Sequence, residues 1–255
     1  MVAPLVLRAQ APATQAPAAI VTRQDVLFLV VGSGLVALAQ RSDLAVRGDV
    51  RADGVQQNRS LDLLADAGNL WGQPIALGGA LGLWIGGRVS DRPTVAATGL
   101  RAVEAIAVSG VLGKVAKGAF GRARPRVNGA DAWDAEFGRG FSLSDGDHES
   151  MPSGHATAAF AFAAAVTSEV HHRAPRHARW VGVASFGLAA ATAYARMHAD
   201  AHWLSDVTAG AVLGSATGWA VTRWHRTRPG NSPDRWLLGP TGSGGAFVGA
   251  QFSWP

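Results

Sequence analysis

Apolar residues gather in six runs along the chain, separated by stretches that are polar, charged or rich in glycine and proline. The runs cover Asp25 to Gln40, Pro74 to Gly87, Pro93 to Val115, Ala156 to Val170, Arg179 to Ala195 and Asp206 to Trp224. Each is rich in Ala, Leu, Val and Gly and long for a strand, so each predicts a helix. Pro93 opens its run, where a missing N–H costs nothing.

Most of these runs fall short of the ~20 residues that cross a bilayer squarely, and the third carries Arg101 and Glu104. Charge placement speaks for crossing. Alternating spans would collect Arg88 and Arg92, then Arg173, Arg176 and Arg179, then Arg223, Arg226 and Arg228 on one side, which is the positive-inside pattern. The other side would receive residues 41–72, 117–155 and 196–205. Arginine at helix C-termini also complements the helix dipole, which accounts for part of the same arrangement.

Composition narrows the class. Hydrophobic residues make up 48% and charged residues 16%, with 32 glycines, which favours closely packed helices over sheets. With no cysteine, neither a disulfide framework nor a Cys-ligated metal site can form. The formal charge of +5 comes from Arg far more than Lys, and the guanidinium fork suits phosphate. No Lys/Arg run interleaved with aromatics occurs, so nucleic acid is not an expected partner. Several of the nine Trp, including Trp71, Trp84, Trp180, Trp203 and Trp224, stand near the ends of runs, where a membrane interface or a capped core would use them.

Residues 1–24 read as a signal-like or disordered segment, with Ala9 to Ala11 resembling a small-residue cleavage site. Residues 25–228 read as a single helical domain, and residues 229–255 as a Gly-rich tail in which Phe247 to Trp254 alternates loosely like a short strand.

Three stretches carry chemistry. The first runs from Lys117 to Pro125, and seven residues return a helix to nearly the same face, so Lys117 and Arg124 can converge on a dianion. Arg122 and Arg126 read as flanking surface charges, and a solvated basic cap on an apolar helix is the structural alternative for the whole stretch. The second runs from Ser150 to Ala156 into an apolar helix. The Ser153 hydroxyl, the close approach allowed by Gly154 and free N–H groups at a helix N-terminus form an anion site. His155, in the first turn, can protonate a leaving alkoxide. An N-cap serine beside an incidental histidine is the structural alternative.

The third stretch runs from Ala195 to Asp206. His202 and Asp206, four apart, can share a helical face, with Asp206 orienting an imidazole nucleophile and Arg196 clamping the equatorial oxygens. His198, His202 and Asp206 at i, i+4 and i+8 would also form a metal-binding face on a continuous helix. The missing Glu of an H-E-x-x-H site and the cations of the other stretches oppose that alternative.

Lys-x6-Arg-Pro, Pro-Ser-Gly-His and Arg-x5-His-x3-Asp, in this order and each at the outer end of an apolar helix, resemble the type 2 phosphatidic acid phosphatase family. The resemblance spans about residues 60 to 224 and extends to bacterial acid phosphatases and vanadium haloperoxidases. It implies an all-α six-helix bundle and a phosphoric monoester hydrolase working through a phosphohistidine, without metal or other cofactor. It also implies catalytic roles for His202 (nucleophile), Asp206 (its partner) and His155 (proton donor). Lys117, Arg124, Ser153, Gly154 and Arg196 match phosphate-binding positions. The expected substrate is a lipid phosphate such as phosphatidate or an isoprenoid phosphate, with the site facing the periplasm or the outside of a cell membrane. Small phosphate esters in a soluble periplasmic enzyme, haloperoxidase-like chemistry and non-catalytic headgroup binding are the alternatives. Ala195 departs from the family pattern, which has Ser before the third-stretch Arg. His148, in an acidic loop with Asp145, Asp147 and Glu149, is expected at the pocket rim with His198 and Asp200, and the remaining histidines carry no expected role.

Overall fold

The computed structural model describes residues 19, 21–142 and 146–228, and among them the chain is helical with no strand. Eight α-helices follow in order: α1 Arg23–Arg51, α2 Asp53–Gln56, α3 Arg59–Leu70, α4 Ala76–Val89, α5 Pro93–Phe120, α6 Gly154–Arg173, α7 Pro175–His198 and α8 Leu204–Thr227. Together they make six passes. The second is a broken pass, in which α3 and α4 are joined by a π-helical turn, Trp71–Ile75, kinked at Gly72 and containing Pro74.

The six predicted runs all appear as helices, five with longer bounds, while the second is shifted, with Pro74 and Ile75 in the π-helical turn and α4 running to Val89. α1 begins inside the segment expected to be signal-like and continues to Arg51, because the capping box of Thr22 and Asp25 starts it at Arg23. α3 was not predicted; its Asn58 cap accepts from the backbone of Ser60 and Leu61. α8 reaches past Trp224, so His225 lies within the helix, buried against Glu104. The expected cleavage site and the loose strand at Phe247 to Trp254 lie outside the described residues.

Small residues let the backbones approach. A β-carbon on Gly210, Gly214 or Gly218 of α8 would stand 2.8, 2.3 or 2.7 Å from the carbonyl oxygens of Ser153, Thr157 and Ala161. This stripe, repeating every four residues, seats α8 directly on α6. It thereby brings the start of α6 beside the start of α8, where the Ser153 N–H donates to the Asp206 carbonyl at 3.0 Å. Ala76, Ala80, Ala102, Ala105, Ala158 and Phe162 fill the core between α4, α5 and α6.

The charges inside the third run are paired. Arg101 Nη1 donates to Glu169 Oε2 at 2.5 Å, and Arg173 Nε donates to the same oxygen at 3.0 Å. This ion cluster lies toward the end of the bundle where α6 meets α7, opposite the loops that carry the three stretches. Trp203 is 1% exposed and its indole N–H donates to the Ala123 carbonyl at 3.0 Å, so it braces the loops rather than marking an interface. Trp180, 68% exposed, remains on the outer surface of α7.

Candidate functional site

The three stretches meet at one end of the bundle. α5 stops at Gly121, which adopts the left-handed conformation (φ 52°, ψ 36°). A β-carbon there would collide with the Glu136 carbonyl at 1.9 Å. Beyond it the chain is anchored to both other stretches. Arg124 N–H donates to the Asp147 carbonyl at 2.9 Å, Ser150 N–H to the Arg122 carbonyl at 3.0 Å, and Arg126 N–H to the Asp200 carbonyl at 3.2 Å.

Lys117 and Arg124 therefore converge, but not from successive helical turns as their spacing predicts. Lys117 stays on the last turn of α5, and Arg124 reaches the pocket from the loop. Arg122 overturns the expectation of a surface charge, since it is 2% exposed. Its Nη1 donates to Asp206 Oδ1 at 2.6 Å and to Ser205 Oγ at 2.7 Å, and its Nη2 to Asp43 Oδ2 at 2.7 Å. Arg126 does lie at the surface, paired with Asp147.

α7 ends at His198, and Asp200 takes a left-handed turn (φ 53°). His202 thus precedes α8 and shares no helix with Asp206, which also breaks the continuous face that a His198, His202 and Asp206 metal site would need. The loop still apposes the pair, with His202 Nδ1 3.7 Å from Asp206 Oδ2. That oxygen accepts from Ser150 Oγ at 2.5 Å and from the Trp203 N–H at 2.8 Å. On the other side of the ring, Arg124 Nη1 lies 3.3 Å from Nε2. A guanidinium only donates, so Nε2 presents its lone pair and Nδ1 carries the proton toward Asp206.

Around this lone pair stand the other expected phosphate contacts. Ser153 is buried and its Oγ has no hydrogen-bond partner, at the N-cap of α6. Lys117 Cε lies 3.9 Å from where a β-carbon on Gly154 would be. Arg196 Nη1 donates to Asn69 Oδ1 at 3.0 Å, which aims the guanidinium. Burial pushes the His155 imidazole down to about 4, and Arg196, Lys117 and Arg124 beside it push in the same direction. Burial likewise drives His202 well below the usual imidazole range. A pocket with three cations, an unpartnered hydroxyl, a helix N-terminus and two neutral imidazoles has the chemistry to hold a tetrahedral dianion. A groove of about 250 Å³ leads from it between α5 and α6, past Ser109, Gly110, Gly113 and Thr157.

Residues 98–229 match the PAP2 superfamily. The chain belongs to this superfamily. It is 31% identical over 113 residues to a lipid A 1-phosphatase of Porphyromonas gingivalis. That alignment covers 44% of the chain and 20% of the relative, so the chain spans about a fifth of the length of the curated relative it matches. Among solved structures it resembles a transmembrane PAP2-type phosphatidylglycerolphosphate phosphatase from Bacillus subtilis. There the TM-score is 0.43 and the identity 18%, over 78% of this chain and 94% of that one.

The structure draws together all eight predicted site residues of this PAP2 protein. It places the expected rim residues differently. His148 is buried, His198 lies 3.4 Å from Asp62, and Asp200 is held by Arg47; Asp145 lies outside the described residues. Ala195, where the family pattern has Ser, is buried, with its Cβ 2.9 Å from where a β-carbon on Gly68 of α3 would stand. Five participants escaped sequence reasoning: Asp43, Asn69, Arg122, Ser150 and Gly72, whose backbone abuts the His155 ring. Only Arg122 carried a signal, as the first member of an Arg-x-Arg pair whose alternate residues share a side when the chain is extended.

Proposed function

We propose that this PAP2 protein is a phosphoric monoester hydrolase acting on a lipid phosphate through a phosphohistidine at His202. The observation that carries the reading is the ring of His202. Its Nε2 lone pair faces Arg124 inside the cationic pocket while Nδ1 faces Asp206, which is the tautomer an attacking imidazole needs.

In the first step Nε2 attacks phosphorus in line, forming the P–N bond as the P–O bond to the alcohol breaks. Lys117, Arg124 and Arg196 balance the charge spread over the equatorial oxygens, with the Ser153 hydroxyl and the α6 N-terminus completing the cradle. His155 gives its proton to the departing alkoxide. The bound dianion makes this possible by supplying the negative charge that the empty pocket lacks around His155. In the second step His155 takes a proton from water, which cleaves the P–N bond and releases inorganic phosphate. No step calls on a metal ion.

Lipid phosphate is the favoured substrate because the groove beside Lys117 and Gly154 offers a path for an apolar chain. The relative from Porphyromonas gingivalis is named for a lipid phosphate. α1 and α5 are also long and apolar enough to cross a membrane, and α1 exposes Leu27, Val30, Val31, Leu35 and Leu38 along its length. Residues 25–228 are read as one helical domain, with the arginine-rich end inside and the phosphate pocket facing the periplasm or the outside.

Phosphate release from phosphatidate and from p-nitrophenyl phosphate, in EDTA, tests the reading on the wild type and on His202→Ala. Turnover of phosphatidate that survives EDTA and falls by about 10³-fold or more in His202→Ala is the expected result. Loss of activity in EDTA would overturn the metal-free mechanism. Turnover of the aryl ester alone would overturn the lipid substrate class.

A further inference from the structure

The outer end of α1 grips the loop that carries His202. Asp43, Arg47 and Arg51 recur every four residues and so lie along one face of that helix. Asp43 is 1% exposed and accepts from the Ser205 N–H at 2.8 Å and from Ser205 Oγ at 2.6 Å, besides Arg122. Arg47 holds both carboxylate oxygens of Asp200 at 2.8 Å, with its guanidinium 6.0 Å from the Trp203 ring. Arg51 Nη1 donates to the His198 carbonyl at 3.0 Å. The three contacts bracket His202 on both sides, and α1 lies wholly outside the residues that match the superfamily.

We infer that Asp43 is a positioning residue for His202, acting through Arg122 and Asp206, and that Arg47 assists by fixing the left-handed turn at Asp200. The inference rests on the phosphohistidine reading. The physical reason lies in the guanidinium fork. Arg122 has one nitrogen on each of two buried carboxylates, Nη1 on Asp206 and Nη2 on Asp43. A guanidinium facing a single carboxylate prefers both of its oxygens. Asp43 shares the second nitrogen with the Ala132 carbonyl, which accepts from Nη2 at 2.6 Å and from Nε at 3.1 Å, so Arg122 takes only Oδ1 of Asp206. Oδ2 is left turned toward His202 Nδ1. Without the Asp43 charge only the neutral Ala132 carbonyl holds that side of the fork, so Arg122 is pulled toward Asp206 and strains the Ser150 and Trp203 donors that keep Oδ2 beside the imidazole.

Vanadate and phosphate separate positioning of the nucleophile from general loosening of the pocket. Vanadate adopts five-coordinate geometry and bonds to the attacking nitrogen, whereas inorganic phosphate needs only the cationic cradle. Both are measured as inhibitors of p-nitrophenyl phosphate turnover by the full chain in detergent, for wild type, Asp43→Asn and Arg47→Gln. We expect the vanadate inhibition constant to rise about tenfold or more in each variant while that of phosphate changes less than about twofold, with kcat lowered and KM nearly kept. Parallel weakening of both inhibitors, or unchanged vanadate inhibition, would overturn the role of α1. Arg47 has a side chain 30% exposed, so Arg47→Gln carries the test should Asp43→Asn fail to fold. A wild type without vanadate-sensitive turnover would instead overturn the phosphohistidine reading itself.

Discussion

Gly72 lies so close to His155 that a β-carbon on it would stand 2.3 Å from Cδ2 of the imidazole. The kink at Gly72, with ψ at −164° inside the π-helical turn, presses bare backbone against the ring. Cations face the same histidine from α5, the following loop and α7. Its orientation is thus set by a residue that bears no chemistry of its own.

Gly72→Ala must displace the ring of His155, because the alternative is to move the backbone of a turn locked by Pro74. A misplaced proton donor harms a poor leaving group far more than a good one. Turnover of an alkyl phosphate such as phosphatidate is expected to fall about 10²-fold. The single-turnover release of nitrophenolate from p-nitrophenyl phosphate is expected to change less than about threefold, since that leaving group needs no acid. Equal losses on the two substrates would show that Gly72 holds the pocket as a whole and not the donor.

The apolar runs were legible because burial of long Ala-, Leu- and Gly-rich segments needs nothing from distant sequence. The site was legible as a set of residues and much less as a geometry. Lys117 and Arg124 do converge, yet helical periodicity gave the wrong reason, since Gly121 ends α5 between them. His202 and Asp206 meet across a loop and a helix start, not along one face. Arg122 reads as solvated in a basic run because its partners, Asp43 and Asp206, are 79 and 84 residues away. Asp43 and Asn69 fell in a stretch expected to be an outer loop, where a lone polar residue announces nothing until α1 and α3 are known to extend over the pocket.

The glycine stripe on α8 makes a contrast with glycines that face open space. A methyl group at Gly214 would lie 2.3 Å from the backbone oxygen of Thr157, which cannot yield without parting α8 from α6, whereas one at Gly82 of α4 meets nothing within 4 Å. Gly214→Ala is expected to destabilise the protein by about 1–3 kcal/mol and to lower activity, because Ser153 and Asp206 ride on the two helices being parted. Gly82→Ala is expected to be neutral or to stabilise by up to about 1 kcal/mol through helix propensity. Thermal midpoints in detergent check both, and equal midpoints would remove the stripe as the device that seats α8.

Acid is expected to weaken the fold through the two buried imidazoles. An unfolded histidine takes up its proton near pH ~6.5. Burial pushes His155 down to about 4 and His202 down to about 3, so the folded protein resists protonation well below that pH. Between those limits the unfolded chain binds more protons than the folded one, and stability rises with pH, or falls as the solution is acidified from about 6.5 toward 3. Carboxylates titrate in the lower part of this window, so the comparison is made with His155→Gln and His202→Gln, each of which should flatten the slope. Saturating phosphate should flatten it too, because a bound dianion offsets Lys117, Arg124 and Arg196 and lets His155 keep a proton in the folded state. Thermal midpoints from pH 7 to pH 4, with and without phosphate, supply the measurement. A slope that neither the substitutions nor phosphate alters would assign the acid sensitivity to groups outside the pocket and contradict the picture of His155 as a donor charged only when the anion is bound.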